Sequence, residues 1–175
     1  MRRDEQGFTL IEMIITVAII SALAAIMVPI VSSELGQASE ATAQGEARRI
    51  GTAVNQFFKD TGFAPTGPLG DDSIEYLLGT GDEVDPNPFH DDDGDAGDLG
   101  DYLTDGGVNG GGQWSGPYLS GVRPDPWGNA YVVNVNGFYD NEEYVWVISA
   151  GPDGVLDTGP DDTILQNDDL GILVD

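Results

Sequence analysis

Near the C-terminus, Asp153, Asp157, Asp161 and Asp162 fall within ten residues, with Gly151, Gly154 and Gly159 bending the chain around them. Carboxylates on a glycine-bent loop present hard oxygen ligands in loose geometry, the coordination Ca2+ takes. A second acidic run extends from His90 to Asp101, and its Asp91, Asp93, Asp95, Asp98 and Asp101 form a candidate second calcium site. That run is not an EF-hand. Counted from Asp91, the sixth position is Ala96 where such a loop needs Gly, and the twelfth is Tyr102 where it needs Glu. For both runs the plain alternative is a solvated acidic surface, in the second case a flexible insertion.

Composition removes most other chemistry. His90 is the sole histidine and there is no cysteine, which excludes disulfides, thiol catalysis, Cys-ligated zinc and any Ser/His/Asp or Cys/His set built on a second His or a Cys. The rival enzyme reading is, for example, a membrane-tethered hydrolase working through paired carboxylates. The chain has 31 acidic and 6 basic residues, a formal net charge of -25. Of the acidic residues, 25 lie at or after Asp60, where Arg123 is the sole base. Such a surface repels nucleic-acid phosphates and attracts cations, so no nucleic-acid partner is expected.

One carboxylate stands apart from the rest. Glu12 lies inside Phe8–Val31, a 24-residue stretch that is almost wholly apolar. As a helix rising 1.5 Å per residue this stretch would span about 36 Å, enough to cross a hydrocarbon core. A carboxylate at the bilayer centre costs roughly 2.5–3.5 kcal/mol and less near an interface, so Glu12 needs a partner or nearby water. The plain reading is an interfacial acid favoured by the helix macrodipole. A secretory signal peptide competes, but its apolar region would be shorter and a small-residue cleavage site would follow it. Here the plausible processing point, Gly7, precedes the run, which favours a retained anchor.

Ala43, Ala47, Ile50, Val54 and Phe57 recur at helical spacing beyond the apolar stretch, with Gly62 and Pro65 as stop signals. One helix from about Phe8 to Lys59 is expected, and Pro29 within it should kink or loosen it locally. Asp71 to Leu78 reads as a short helix, followed by a long Gly/Asp-rich loop. Ala130–Val135 and Glu143–Ser149 read as strands of an antiparallel hairpin turning at Asn136-Gly137. Pro124–Tyr131 reads as a proline-stiffened turn leading into the first of these strands, with Trp127 anchored in the core. The fold class is α+β: a long N-terminal helix, half membrane-spanning and half amphipathic, packed on a small antiparallel sheet with calcium-type loops. The expected divisions are 1–7, 8–31, 32–62 and an acidic globular domain 63–175 with a Gly/Asp-rich insertion at 81–115.

Gly7-Phe8-Thr9-Leu10-Ile11-Glu12 followed by a long apolar run resembles the processing signal of type IV prepilins and pseudopilins. Gly116-Pro117-Tyr118-Leu119, Asp125-Pro126-Trp127-Gly128-Asn129-Ala130-Tyr131 and Ser149-Ala150-Gly151-Pro152-Asp153-Gly154 are similar to the major pseudopilin of the type II secretion system. The resemblance implies that 1–7 is a leader, that a prepilin peptidase cuts between Gly7 and Phe8, and that Phe8 is then N-methylated. It implies that Glu12 neutralises the amine of a neighbouring subunit and that the helix loosens at Pro29. Gln6 departs from the Lys or Arg common at that leader position. The implied role is a homo-oligomeric helical filament, held in the inner membrane before assembly and periplasmic afterwards, that pushes folded exoproteins outward. Implied partners are minor pilins or pseudopilins and an inner-membrane assembly platform. A surface type IV pilin for adhesion, motility or DNA uptake is the alternative. The resemblance also implies one calcium in the last loop, with Asp153 and Asp162 as the firmest ligands and Asp157 and Asp161 beside them. It does not cover residues 91–101.

Overall fold

The computed structural model describes residues 8–65, 74–85, 87–89, 95–106, 114–138 and 144–174. The chain divides into two compact units, Met1–Ala38 and Ser39–Asp175. Helix α1, Leu10–Thr61, contributes to both and includes Pro29. From Phe8 to Ala38 every residue is exposed. Beyond that, Ala43, Ala47, Ile50, Val54 and Phe57 are buried, the stripe read from their spacing. Gly62, at φ +75°, ends the helix in the left-handed conformation, its N–H donating to the Phe58 carbonyl at 2.8 Å.

A five-stranded sheet forms the centre of the second unit, in the order β2-β1-β3-β4-β5. Its strands are β1 (Ile74–Leu78), β2 (Asp95–Asp98), β3 (Val132–Asn134), β4 (Trp146–Ser149) and β5 (Leu170–Leu173). The expected hairpin is β3–β4, antiparallel with Val133 opposite Val147. Its connection opens with a 3-10 turn at Asn136–Phe138; residues 139–143, including Glu143 of the expected strand, lie outside the described residues.

Two expectations are corrected here. Ile74–Leu78 is a strand rather than part of a helix (71–73 lie outside the described residues). Strands on both sides claim the backbone groups of this segment, and that tertiary pairing overrides its local helical signal. The sheet is mixed rather than antiparallel, because β2 pairs with β1 in parallel.

The sheet is covered on both faces. Leu77, Val133 and Val147 join α1's Ile50, Val54 and Phe57 in one apolar cluster. Tyr76, Val132, Trp146 and Ile148 face the other way, with Val84, Phe89 and Leu156. Strands buried on two sides read as continuous apolar runs instead of alternations.

The 81–115 insertion is more than a loop. It supplies β2 and a short helix α2, Leu99–Leu103, whose Leu99, Tyr102 and Leu103 are buried in the first cluster. Trp127 is only half-buried and belongs to neither cluster; Tyr131, fully buried, fills the core position downstream of the turn.

Candidate assembly helix and metal centre

Phe8, Thr9 and Glu12 shape the start of α1. The Thr9 backbone N–H and hydroxyl both donate to Glu12 Oε2 at 2.8 Å, and the Glu12 N–H donates to Thr9 Oγ1 at 3.4 Å. This is a reciprocal capping box, with Thr at the cap and Glu three residues on. Glu12 is the one charged residue in the apolar stretch from Phe8 to Val31. Phe8 is 85% exposed, and large apolar side chains from Leu10 to Val31 are all exposed. The mean hydropathy of the most apolar window of α1 is 2.7, long and apolar enough to cross a membrane. Gly7 and the rest of 1–7 lie outside the described residues.

The acidic loop is built by the turn before β3 and by the two strands that flank it. Asp125, buried, accepts from the N–H groups of Trp127 (3.0 Å) and Asn129 (2.8 Å) and from the Ser149 hydroxyl at the end of β4 (2.6 Å). Asn129 then donates to the Gly151 carbonyl at 3.0 Å, which fixes where the loop leaves β4. Gly151 has φ +67°, and a Cβ there would collide with the Asp168 carbonyl oxygen. Only glycine lets the start of the loop lie against the residue two before β5.

That approach gathers three carboxylates. One oxygen from each of Asp153, Asp157 and Asp168 lies within 4.8 Å of the others. Asp153 and Asp157 come from the expected set, while Asp168 was missed. Its sequence signal is the Asp168-Asp169 pair set directly before the apolar segment Leu170–Val174. Asp161 is exposed, and Asp162 is occupied locally: its Oδ2 accepts from the Gly159 N–H at 2.8 Å and its Oδ1 from Gln166 Nε2 at 3.3 Å. Neither belongs to the three-carboxylate group.

Asp169 is 4% exposed, and its Oδ1 is buried without a hydrogen-bond partner. Burial pushes its carboxyl above the usual range, the Asp157 charge adds to this, and hydrogen bonds from Thr158 and Asp157 oppose it.

Of the candidate ligands in the second acidic run, the structure describes the side chains of Asp98 and Asp101. His90, Asp91 and Asp93 lie outside the described residues, as does the Asp95 side chain. Asp98 caps α2, accepting from the Gly100 N–H at 2.7 Å, and Asp101 is exposed on that helix. Among the described residues, neither joins a metal-capable group.

Comparison with known proteins converges on one family. Residues 2–28 match the family model described as the prokaryotic N-terminal methylation motif, and residues 101–168 match that of type II secretion system protein G. The chain is 32% identical over 132 residues to the type II secretion system core protein G of Pseudomonas aeruginosa, covering 74% of this chain and 73% of that protein. It is 27% identical over 162 residues to the core protein G of Escherichia coli K12, covering 91% and 90%. No solved structure matches.

Proposed function

The chain belongs to the type II secretion system core protein G family, and from that premise we propose how its parts carry out the family's work. It is a structural subunit, the major pseudopilin, and not an enzyme. Assembly into a pseudopilus with other components of the secretion system follows from that membership.

In this reading the precursor sits in the inner membrane through 8–31. A prepilin peptidase cuts between Gly7 and Phe8, Phe8 is N-methylated, and an assembly platform extracts the subunit into a periplasmic filament shared with minor pseudopilins. The observation that carries the reading is the fully exposed apolar start of α1 with one carboxylate capped at its head, inside the stretch matching the methylation motif. Uncovered, those side chains have no place in water. Packed in a filament core, Glu12 and the Phe8 amine of a neighbour would each be costly alone and tolerable as a pair. Mass spectrometry of assembled subunits should show a chain starting at methylated Phe8, and Glu12→Ala should fold and insert but give few filaments. A different mature N-terminus, or wild-type filament yield in the variant, overturns this account.

We also infer a calcium site at Asp153, Asp157 and Asp168, completed by backbone carbonyls and water. The donor set is all hard oxygen, as calcium prefers. The three acids repel one another, and the sole ion pair among the described residues is the distant Arg49–Glu46. The orphaned, buried Asp169 Oδ1 beside them marks the same region as rich in uncompensated oxygen. A bound ion would supply neutralising charge and tie the loop after β4 to the start of β5. A fragment from Ser33 keeps every buried residue of the fold. At a calcium concentration one hundred times its Kd it should gain about 2.7 kcal/mol, or several degrees in Tm. Identical melting curves in calcium and chelator would remove the ion from the account.

A further inference from the structure

Asp169 is the most enclosed charge near the acidic loop, and the metal reading does not use it as a ligand. Its Oδ2 accepts three hydrogen bonds: from the Asp157 N–H at 3.0 Å, the Thr158 N–H at 2.7 Å and the Thr158 hydroxyl at 2.7 Å. The Thr158 side chain is itself fully buried, and its Oγ1 accepts from the Gln166 N–H at 3.0 Å. The chain between Thr158 and Asp169 is therefore closed at its neck by side chains, not by a strand ladder. Asp169 directly precedes β5, whose Leu170 pairs with Ser149 of β4, so one side of the closure is anchored to the sheet.

The closure acts on the three-carboxylate group. Asp157 is held through its own N–H, and Asp168 is the chain neighbour of Asp169. The Asp169 oxygens do not join the group lying within 4.8 Å of one another. Three like charges brought that close drift apart unless the backbone bearing them is held, and a site held before its ion arrives loses less freedom on binding.

We propose that Asp169 and Thr158 form a clasp that sets the Asp157 and Asp168 carboxylates for a divalent cation before it binds, as positioning residues that do not touch it. The proposal rests on the calcium reading above. Thr158 offers a neutral probe, since Thr158→Val keeps the shape and removes both hydroxyl bonds, while Thr158→Ser keeps the hydroxyl.

The test is calcium titration calorimetry on the full chain in detergent micelles, with melting in chelator as a check on folding. Thr158→Val should raise the calcium Kd about tenfold, the equivalent of one hydrogen bond of about 1.4 kcal/mol. Thr158→Ser should stay close to wild type. A Kd unchanged in Thr158→Val, with the chelated fold merely less stable, makes the residue structural and overturns the clasp. Absence of saturable binding in wild type overturns the calcium reading instead, and the clasp with it. A second measurement needs no variant. In chelator, the Asp157 and Thr158 amides should already exchange slowly with deuterated solvent; if they exchange freely until calcium is added, the ion makes the closure and the clasp is refuted.

Discussion

Asp125→Ala should be among the most damaging single substitutions in the domain, although the position lies in a loop. The wild-type carboxylate is 5% exposed and accepts from Trp127 N–H, Asn129 N–H and the Ser149 hydroxyl at 3.0, 2.8 and 2.6 Å. Truncation leaves three donors without an acceptor. Ser149 is fully buried and water cannot readily replace its partner, so it bears the full penalty of about 1–3 kcal/mol. The Trp127 and Asn129 amides lie in a half-buried turn and can be partly rehydrated, about 1 kcal/mol each. Relief of carboxylate burial offsets some of this, so the net loss is roughly 3 kcal/mol.

For a domain of this size that corresponds to a Tm about 6–12 °C lower, read by circular dichroism on the fragment from Ser33. Asp125→Asn keeps an acceptor for the two amides, and the Ser149 hydroxyl can rotate to accept from the new amide. Its expected loss is about 1 kcal/mol. An alanine variant that melts within a degree or two of wild type would refute the hydrogen-bond argument. Equal losses in both variants would mean that charge, rather than geometry, holds the turn.

Gly171→Ala should disrupt β5, because a Cβ there would collide with the Val147 carbonyl oxygen in the neighbouring strand and neither backbone can yield. The loss should reach about 3 kcal/mol, and the same melting experiment checks it. Tyr131 gives a pH prediction: burial pushes its hydroxyl above the usual range, the Asp125 and Glu46 charges add, and Arg49 opposes. With the folded pKa above the unfolded one, its stabilising contribution is complete below pH about 10 and is lost as pH rises beyond that. Base-induced unfolding, followed by tyrosinate absorbance, should therefore move to higher pH in Tyr131→Phe, and an unmoved midpoint would count against it.

What the sequence made legible is where one physical signal dominated. The buried stripe of α1 is visible because a helix facing a sheet must place apolar residues at its own period, and Ala43 to Phe57 do so. The β3–β4 pair is visible because Val, Tyr and Trp cluster there. Ile74–Leu78 was misread because its identity as a strand comes from neighbours distant in sequence: Tyr76 and Leu77 point into opposite clusters, so no alternation marks it. In the insertion, β2 is Asp-Ala-Gly-Asp, with no strand propensity of its own; an edge strand beside β1 needs only its backbone. The burial of Leu99, Tyr102 and Leu103 was hidden by the aspartates around them.

The aspartates also explain why the three-carboxylate group was only half readable. A carboxylate in a loop has two uses here, and the residue type does not separate them. Asp98, Asp125, Asp153, Asp162 and Asp169 each accept a main-chain N–H where the chain turns. In a chain without cysteine, such bonds close loops that a disulfide would otherwise hold. Part of the acidic excess is thus architectural rather than a solvated surface. Asp162 spends both oxygens on that work, whereas Asp153 spends Oδ1 on the Val155 N–H at 2.9 Å and still keeps an oxygen within reach of Asp157 and Asp168. The difference lies in which donors each turn brings near, and that follows from the placement of β4 and β5. Counting acids along the chain finds the loop; only the fold decides which of them remain open to a cation.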